Sequence, residues 1–346
     1  MLVHLSPAEL SFVRSALAQT PPVRLDVTKA PRDFRSMRAE CDVLPGANGS
    51  ARIALDDGTE ALVGVKAEVE PSRQPPALAH QEHGDVADGD AHPSNRKGLN
   101  SWLEMSVQIP GFREDDSLPV FLASMLNESL LASGELTDRL YINTRFHWKL
   151  YVDILLLSPP LSYPLALLSM TTHLALLTTR LPALKSEKDE DPLFDDDWDA
   201  AVHLYPKTSA DKPPVIVLAM AVDQNIIFDP CAEELAVADA VLAIACTCVP
   251  AATSSSRIVS IRSIDPPSHL TPPGIPNTMN SATGGTAPKT SADALTQREL
   301  LAASGVWSPP RGGMKRGLIS RISKMVVEQG GIAEEVVGGL AGIEVG

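Results

Sequence analysis

Residues 228–240 read FDPCAEELAVADA and place Asp229, Glu233, Glu234 and Asp239 close together, directly after an apolar run. Carboxylates gathered at the end of a buried strand can hold a divalent cation or move a proton in acid–base chemistry. Either task needs a second element that fixes the substrate. The elements around the stretch therefore decide what these acids can do.

The chain has 346 residues, 44% of them apolar and 21% charged, enough to bury one large core or two ordinary ones. Its net charge of −14 makes it a poor non-specific binder of nucleic acid. Contact with RNA must come from a local basic patch or from neighbouring chains. The cysteines Cys41, Cys231, Cys246 and Cys248 do not form a disulfide framework. Cys246 and Cys248 would share one face of a strand, and no His or Cys pair near them has zinc-site spacing. They read as buried thiols of a reducing compartment, with no metal implied.

The N-terminus reads as an amphipathic helix without the pattern of a secretory signal. Residues 154–179 carry no formal charge over about the length of a membrane span. Pro159, Pro160 and Pro164 interrupt them, so a buried strand, a turn and a buried helix fit better, and no membrane is expected.

A helix is expected over 6–18. Residues 50–69 read as two β-rich runs around the hairpin signal Asp57-Gly58. Residues 71–101 read as a disordered loop insertion. A strand at 103–109 precedes a helix over 118–131, whose apolar face is Leu118, Phe121, Leu122, Met125, Leu126 and Leu130. HWKLYVDILLLS (147–158) has the character of a central strand. A helix over 163–181 follows, with Ser162 as its N-cap and Pro164 in its first turn. Residues 185–199 are acidic and read as a solvated linker. Strands at 215–222, 225–229, 238–249 and 257–264 make up the second half. A flexible 265–290 and helices near 291–303 and 315–329 follow, with 331–346 as a tail. The order predicts an α+β, two-layer α/β fold with insertions. There is no nucleotide-binding glycine pattern, no G-x-S-x-G and no H-E-x-x-H, so no cofactor is implied.

The run PRDFRSMRAECDVLPGANGSARIALDDGTEALVGVKAEVE (31–70) resembles the N-terminal part of the RNase PH-like ring subunits of the eukaryotic RNA exosome, with ANGSARI its most specific piece. HWKLYVDILLL (147–157) is similar to that family's central strand. LLTTRLPAL (176–184) is similar to the end of the following helix, and NIIFDPCAEELAVADAVLAIA (225–245) to the second half. The resemblance runs, with gaps, over about 5–265. It implies an RNase PH-like fold (ribosomal protein S5 domain 2-like) of two βαβα-type halves: a lead-in over 1–30, one half over 31–184, and the other over 200–330. It further implies a place in a hetero-hexameric ring of RNase PH-like exosome subunits, beneath a cap of S1/KH-type subunits. RNA would thread the central channel, in the nucleus (nucleolus) and cytoplasm.

Active members of this family cleave RNA with inorganic phosphate. The resemblance implies a Gly-rich turn with Ser/Thr and Arg after the central strand, where backbone N–H groups approach the phosphate. Here the turn is SPPLSYPLA (158–166), in which Pro159 and Pro160 stand in place of glycines around Ser162, and no Arg or Lys is present. If Asp229 is the family's strand-end aspartate, the two catalytic carboxylate positions fall on Leu235 and Val241, both apolar. Asp239 lies two residues from Val241, on the same side of a strand. Glu233 and Glu234 are then expected on a solvated turn or an interface rim. The resemblance also directs attention to RNA contacts at Arg113, in IPGFREDDSLP (109–119), and at Arg35 and Arg38, and to a subunit interface at Arg24, Arg35 and Arg38. A surface salt bridge from Arg113 to Glu114 or Asp116, and a solvated surface for Arg24, Arg35 and Arg38, are the plainer readings. The basic segment 309–324 could meet RNA, an acidic partner or water.

Three functions stay open on the sequence: a non-catalytic ring subunit, an active phosphorolytic exoribonuclease using Asp239 or Glu234, and an adaptor acting through its acidic linker and C-terminal tail.

Overall fold

Residues 5–72, 98–187, 190–206, 211–249, 255–274, 306–310 and 313–343 are described by the computed structural model, with the pairs 290–291 and 295–296. Helix α1 (Pro7–Leu17) opens on a capping box, in which the Ser6 hydroxyl accepts from the Glu9 N–H and the Glu9 carboxylate takes the Ser6 N–H. It buries Leu10, Val13 and Leu17. Strands β1 (Met37–Cys41), β2 (Gly49–Leu55) and β3 (Glu60–Pro71) form an antiparallel meander. The β2–β3 turn holds Gly58 at φ 83°, a backbone that glycine adopts without strain. Strand β4 (Leu103–Gln108) leads to helices α2 (Ser117–Leu131) and α3 (Glu135–Arg139) and then to strand β5 (Phe146–Leu156). The first sheet has the order β1-β2-β3-β5-β4, with β5 antiparallel to β3 and parallel to β4.

Helix α4 (Leu165–Thr178) follows β5, and all of its residues are buried. Strands β6 (Arg180–Leu181) and β7 (Val202–His203) pair briefly. The second half begins with the hairpin β8 (Val215–Val222) and β9 (Asn225–Phe228), then the single-turn helix α5 (Ala232–Leu235). Strands β10 (Ala240–Val249) and β11 (Ser255–Ile264) complete an antiparallel sheet of order β11-β10-β8-β9. Helices α6 (Arg316–Val327) and α7 (Ile332–Ala341) pack on each other and against β11 and β10 respectively.

Helix α4 is the central layer, touching β2 and β3 on one side and β8 on the other. A helix apolar all round belongs between two layers. Its few polar groups are all bonded. The Ser169 hydroxyl accepts from the Ile216 N–H at 2.8 Å, and Thr171 and Thr172 donate to carbonyls one turn back. The His173 Nδ1 lies 2.7 Å from the Pro213 carbonyl, which can only accept, so the neutral ring carries its proton on Nδ1. Burial pushes the His173 pKa down to about 4, against the opposing pull of that carbonyl.

Several expectations change. Ser162 does not cap α4; Pro164 stands at that position, and the Ser162 hydroxyl is bound elsewhere. Phe121 is 43% exposed, because the buried stripe of α2 runs through Leu122, Met125, Leu126 and Leu130 and leaves it at the margin. Strand β1 and helix α3 carry too little periodicity to be read from sequence. Residues 331–346, expected as a tail, contain α7, which buries Ile332, Ala333, Val336, Val337 and Leu340. In the acidic segment 185–199, Phe194 bridges to Leu184 and packs its ring 4.9 Å from Trp148, so part of the linker is seated. Only Cys246 of the four thiols is buried; the others are half-exposed. Most of the 71–101 insertion, and of the 275–305 region with its expected helix, lies outside the described residues. Among the described residues, no helix is long and apolar enough to cross a membrane, and no group of three or more His, Cys, Asp or Glu could hold a metal ion.

Candidate functional site

The acids of 228–240 occupy the junction between the two halves, where β9 ends and α5 turns the chain toward β10. Asp229 sits at φ 44°, in the left-handed region that Asp tolerates better than most residues. Its carboxylate is held from three sides by Arg35: Nη2 donates to Oδ1 at 2.6 Å, while Nε at 3.0 Å and the backbone N–H at 2.8 Å donate to Oδ2. The remaining arm of Arg35 donates to Asp57 Oδ2 at 2.7 Å and to Ser162 Oγ at 2.6 Å. One guanidinium thus ties together the β9 end, the β2–β3 turn and the β5–α4 turn. Its side chain is 10% exposed and that of Asp229 is 7%. Burial opposes the charge on Arg35, but the Asp229 hydrogen bonds and the Asp229 and Asp57 charges outweigh it, raising the guanidinium pKa.

The turn itself offers little to an anion. Pro159 is exposed, Pro160 is buried, and neither has an N–H. The Ser158 hydroxyl accepts from the Glu60 N–H at 3.1 Å. Ser162 is buried against Arg35, whose positive charge already faces two carboxylates. Leu235 and Val241 are core residues, and Val241 pairs across the sheet with Met220 and Ile264.

Glu234 does not lie on a solvated turn. Its side chain is 1% exposed and forms a bidentate pair with Arg24, Nε to Oε1 at 3.0 Å and Nη2 to Oε2 at 2.9 Å. Arg24, expected at the surface, is itself buried and also donates to the Asp33, Phe228 and Asp229 carbonyls. Glu234 further accepts the Cys231 N–H at the start of α5. Burial, with Glu234 beside it, pushes the Cys231 thiol up to about 12, so this sulfur is no nucleophile at neutral pH. Glu233 is half-buried. Asp239 precedes β10, where Oδ1 takes Arg14 Nη1 at 2.7 Å and Oδ2 takes the Asp223 N–H at 2.7 Å.

A register emerges that the sequence did not suggest. Arg14, Arg24 and Arg35 run up the N-terminal segment, and Asp239, Glu234 and Asp229 run down the acidic stretch. Each arginine meets one acid of that stretch, in antiparallel order, while Arg35 also meets Asp57 and Arg14 also meets Asp223. Reading the sequence misses Arg24, Arg14 and Asp57 as parts of this cluster. The partners lie about two hundred residues apart in the chain, and the arginines are spaced about twice as widely as the acids, so the spacing carries no matching signal.

The other cations lie apart from the cluster. Arg38 is exposed on β1 opposite Ala54, and among the described residues it pairs with no acid. Arg113 is exposed and forms no salt bridge with its acidic neighbours. Instead its backbone N–H occupies Asp116, and Gln108 occupies Glu114. The expected surface pair is replaced by a guanidinium open to solvent.

Residues 33–182 match the RNase PH family model, described as 3' exoribonuclease family, domain 1. The chain is 32% identical over 244 residues to exosome complex component RRP42 of Saccharomyces cerevisiae, covering 68% of this chain and 79% of that protein. It is 33% identical over 258 residues to exosome complex component rrp42 of Schizosaccharomyces pombe, covering 70% and 78%. Among solved structures it is similar to a chain of the Archaeoglobus fulgidus exosome with RNA bound to the active site, at TM-score 0.50 and 22% identity, covering 75% of this chain and 87% of that one. That likeness supports the α+β RNase PH-like fold. With two relatives above 30% identity across most of their own lengths, the chain belongs to the RNase PH-like family of exosome components and is an RRP42-like member of it.

Proposed function

We propose that this chain is a non-catalytic structural subunit of an exosome ring, holding RNase PH-like neighbours in place and lining a channel for RNA. The observation that carries the proposal is the Arg35 clamp. Phosphorolysis needs donors left free to hold an attacking phosphate. Among the described residues, the one cation bonded to the β5–α4 turn, Arg35, is spent on Asp229 and Asp57, so this cluster is net negative and repels a phosphate dianion. The turn's prolines supply no N–H, and the positions that the resemblance assigns to the family's carboxylates hold Leu235 and Val241, both buried. Phe112, Val120 and Phe121, close to Arg113 in the chain, are exposed and offer apolar surface to a neighbouring subunit. Partners on this reading are RNase PH-like subunits in a hetero-hexamer, an S1/KH-type cap, and RNA in the channel, in the nucleus (nucleolus) and cytoplasm.

The test is nucleoside diphosphate release from RNA with inorganic phosphate, using a ring reconstituted with this subunit. Asp239→Asn and Glu234→Gln should leave release unchanged wherever the ring still assembles. Loss of release on changing either acid in an assembled ring would establish the phosphorolytic reading instead.

A further inference from the structure

We propose that the outer face of helix α6 is a binding strip for the phosphate backbone of single-stranded RNA. The proposal rests on the RNA-handling reading above and adds a second contact site to it. Helix α6 buries Leu318, Ile322 and Val326 against the second half. At 3.6 residues per turn, Arg316, Ser320 and Lys324 stack along the opposite face, with Lys315 at the N-cap and Arg321 on the flank. All four cations are exposed. Arg316 and Lys324 stand about 12 Å apart along the axis.

In a chain of net charge −14, this strip keeps its positive charge. Among the described residues, Lys315, Arg316, Arg321 and Lys324 form no salt bridge; Arg321 donates to the Gln224 carbonyl, which leaves its charge uncancelled. The acids nearest the strip in the chain and in the cleft are paired with other arginines. Glu328 pairs with Arg32, and Asp223 and Asp239, which share a cleft with Lys315, pair with Arg14. Glu334 accepts the Gly330 N–H, and Glu335 is the exposed acid of α7.

The composition of the face selects the partner. A stable protein interface centres on buried apolar or aromatic anchors. None of the exposed large apolar residues lies on α6 or α7, and the gaps between the cations are filled by Gly317 and Ser320. A strip of charge without an apolar centre binds a polyanion through counterion release, and a polyphosphate strand needs no side-chain pocket.

The experiment is fluorescence anisotropy of the full chain with a labelled oligouridine of about 20 nucleotides, over a series of salt concentrations. Contact with three or four phosphates gives a slope of log K against log salt of roughly −2 to −3. Arg316→Glu with Lys324→Glu should weaken binding at low salt at least about tenfold and flatten the slope by roughly 1.4. Lys29→Glu with Lys66→Glu changes net charge equally and should have a far smaller effect. A melting curve checks folding, and Arg316→Gln with Lys324→Gln replaces the reversal if that variant unfolds. Absence of RNA binding, equal binding by the strip and control variants, or equal capture of a poly-glutamate of similar length would each overturn the proposal; the last would assign the strip to an acidic polypeptide. Binding is read on the isolated chain and phosphate-dependent cleavage on the ring, so either reading can fail without the other.

Discussion

Replacing Arg24 tests whether the N-terminal segment is locked to the second half by its buried ion pair. Arg24 and Glu234 are 4% and 1% exposed, so neither charge has water to fall back on. Removing one partner of such a pair leaves the other as an uncompensated buried charge, at a cost of roughly 3–5 kcal/mol. Arg24→Met keeps much of the side-chain volume, so the loss should lie in that range rather than in a cavity. The Phe228 and Asp229 carbonyls also lose a donor, which pushes the cost toward the upper end. Glu234→Met alone strands a buried guanidinium and should cost a similar amount. The double variant carries neither charge and should be destabilised by clearly less than the sum of the two, by at least about 1.5 kcal/mol. Urea unfolding of the four proteins closes the cycle. A cost below about 1 kcal/mol for Arg24→Met, or additivity within about 0.5 kcal/mol, would refute the argument. Either result would mean that water reaches the pair or that the segment is held by other contacts.

Two further perturbations probe the layers around the site. His173 stays neutral in the fold down to about pH 4, while an unfolded histidine takes up its proton near pH 6.5. Between those values the unfolded chain binds the extra proton, so the stability present above pH 6.5 is lost as pH falls toward 4, by roughly 3 kcal/mol. His173→Asn, which keeps a donor for Pro213, should flatten that part of a stability–pH curve; an unchanged curve would refute the assignment. At Gly49, an added Cβ would come within 2.5 Å of the Thr179 backbone. Gly49→Ala should therefore cost roughly 1–3 kcal/mol by thermal or urea unfolding, and a neutral result would show that β2 can shift away from α4.

Much of the fold was legible because it is written in local signals. The Asp57-Gly58 turn, the β-prone run of β5 and the all-apolar α4 each announce themselves through spacing and residue type. Two of the sequence pieces that carry the family resemblance touch each other. Asn48 donates to the Arg180 carbonyl and accepts the Ala67 N–H, and the Ser50 N–H donates to the Thr178 hydroxyl. ANGSARI and LLTTRLPAL are thus partners in a close approach of β2 to the end of α4, which accounts for Gly49. The resemblance was read from residues that hold the fold, and so it reported fold more surely than chemistry. What escaped was long-range: Arg24 and Arg14 find their acids across the whole chain, and no local pattern encodes such a pairing.

The antiparallel pairing also bears on what the acids of this stretch are free to do. A carboxylate works as a base or metal ligand only if it keeps a lone pair facing the substrate. Asp229 gives its oxygens to three donors of Arg35, Glu234 to Arg24 and the Cys231 N–H, and Asp239 to Arg14 and the Asp223 N–H. Glu234 therefore serves the fold whether or not it serves catalysis, because losing it strands the buried Arg24, whereas Arg35 and Arg14 each keep a second acid, Asp57 and Asp223. On the proposed non-catalytic reading, placing Asp at 235 or 241 would not supply phosphorolysis. A new carboxylate in the core would add an unpaired buried charge, while Arg35 would still be held away from any phosphate by Asp229 and Asp57. Holding a phosphate there would require the clamp to open as well, so Leu235→Asp and Val241→Asp together should destabilise the chain without producing nucleoside diphosphate release from this subunit.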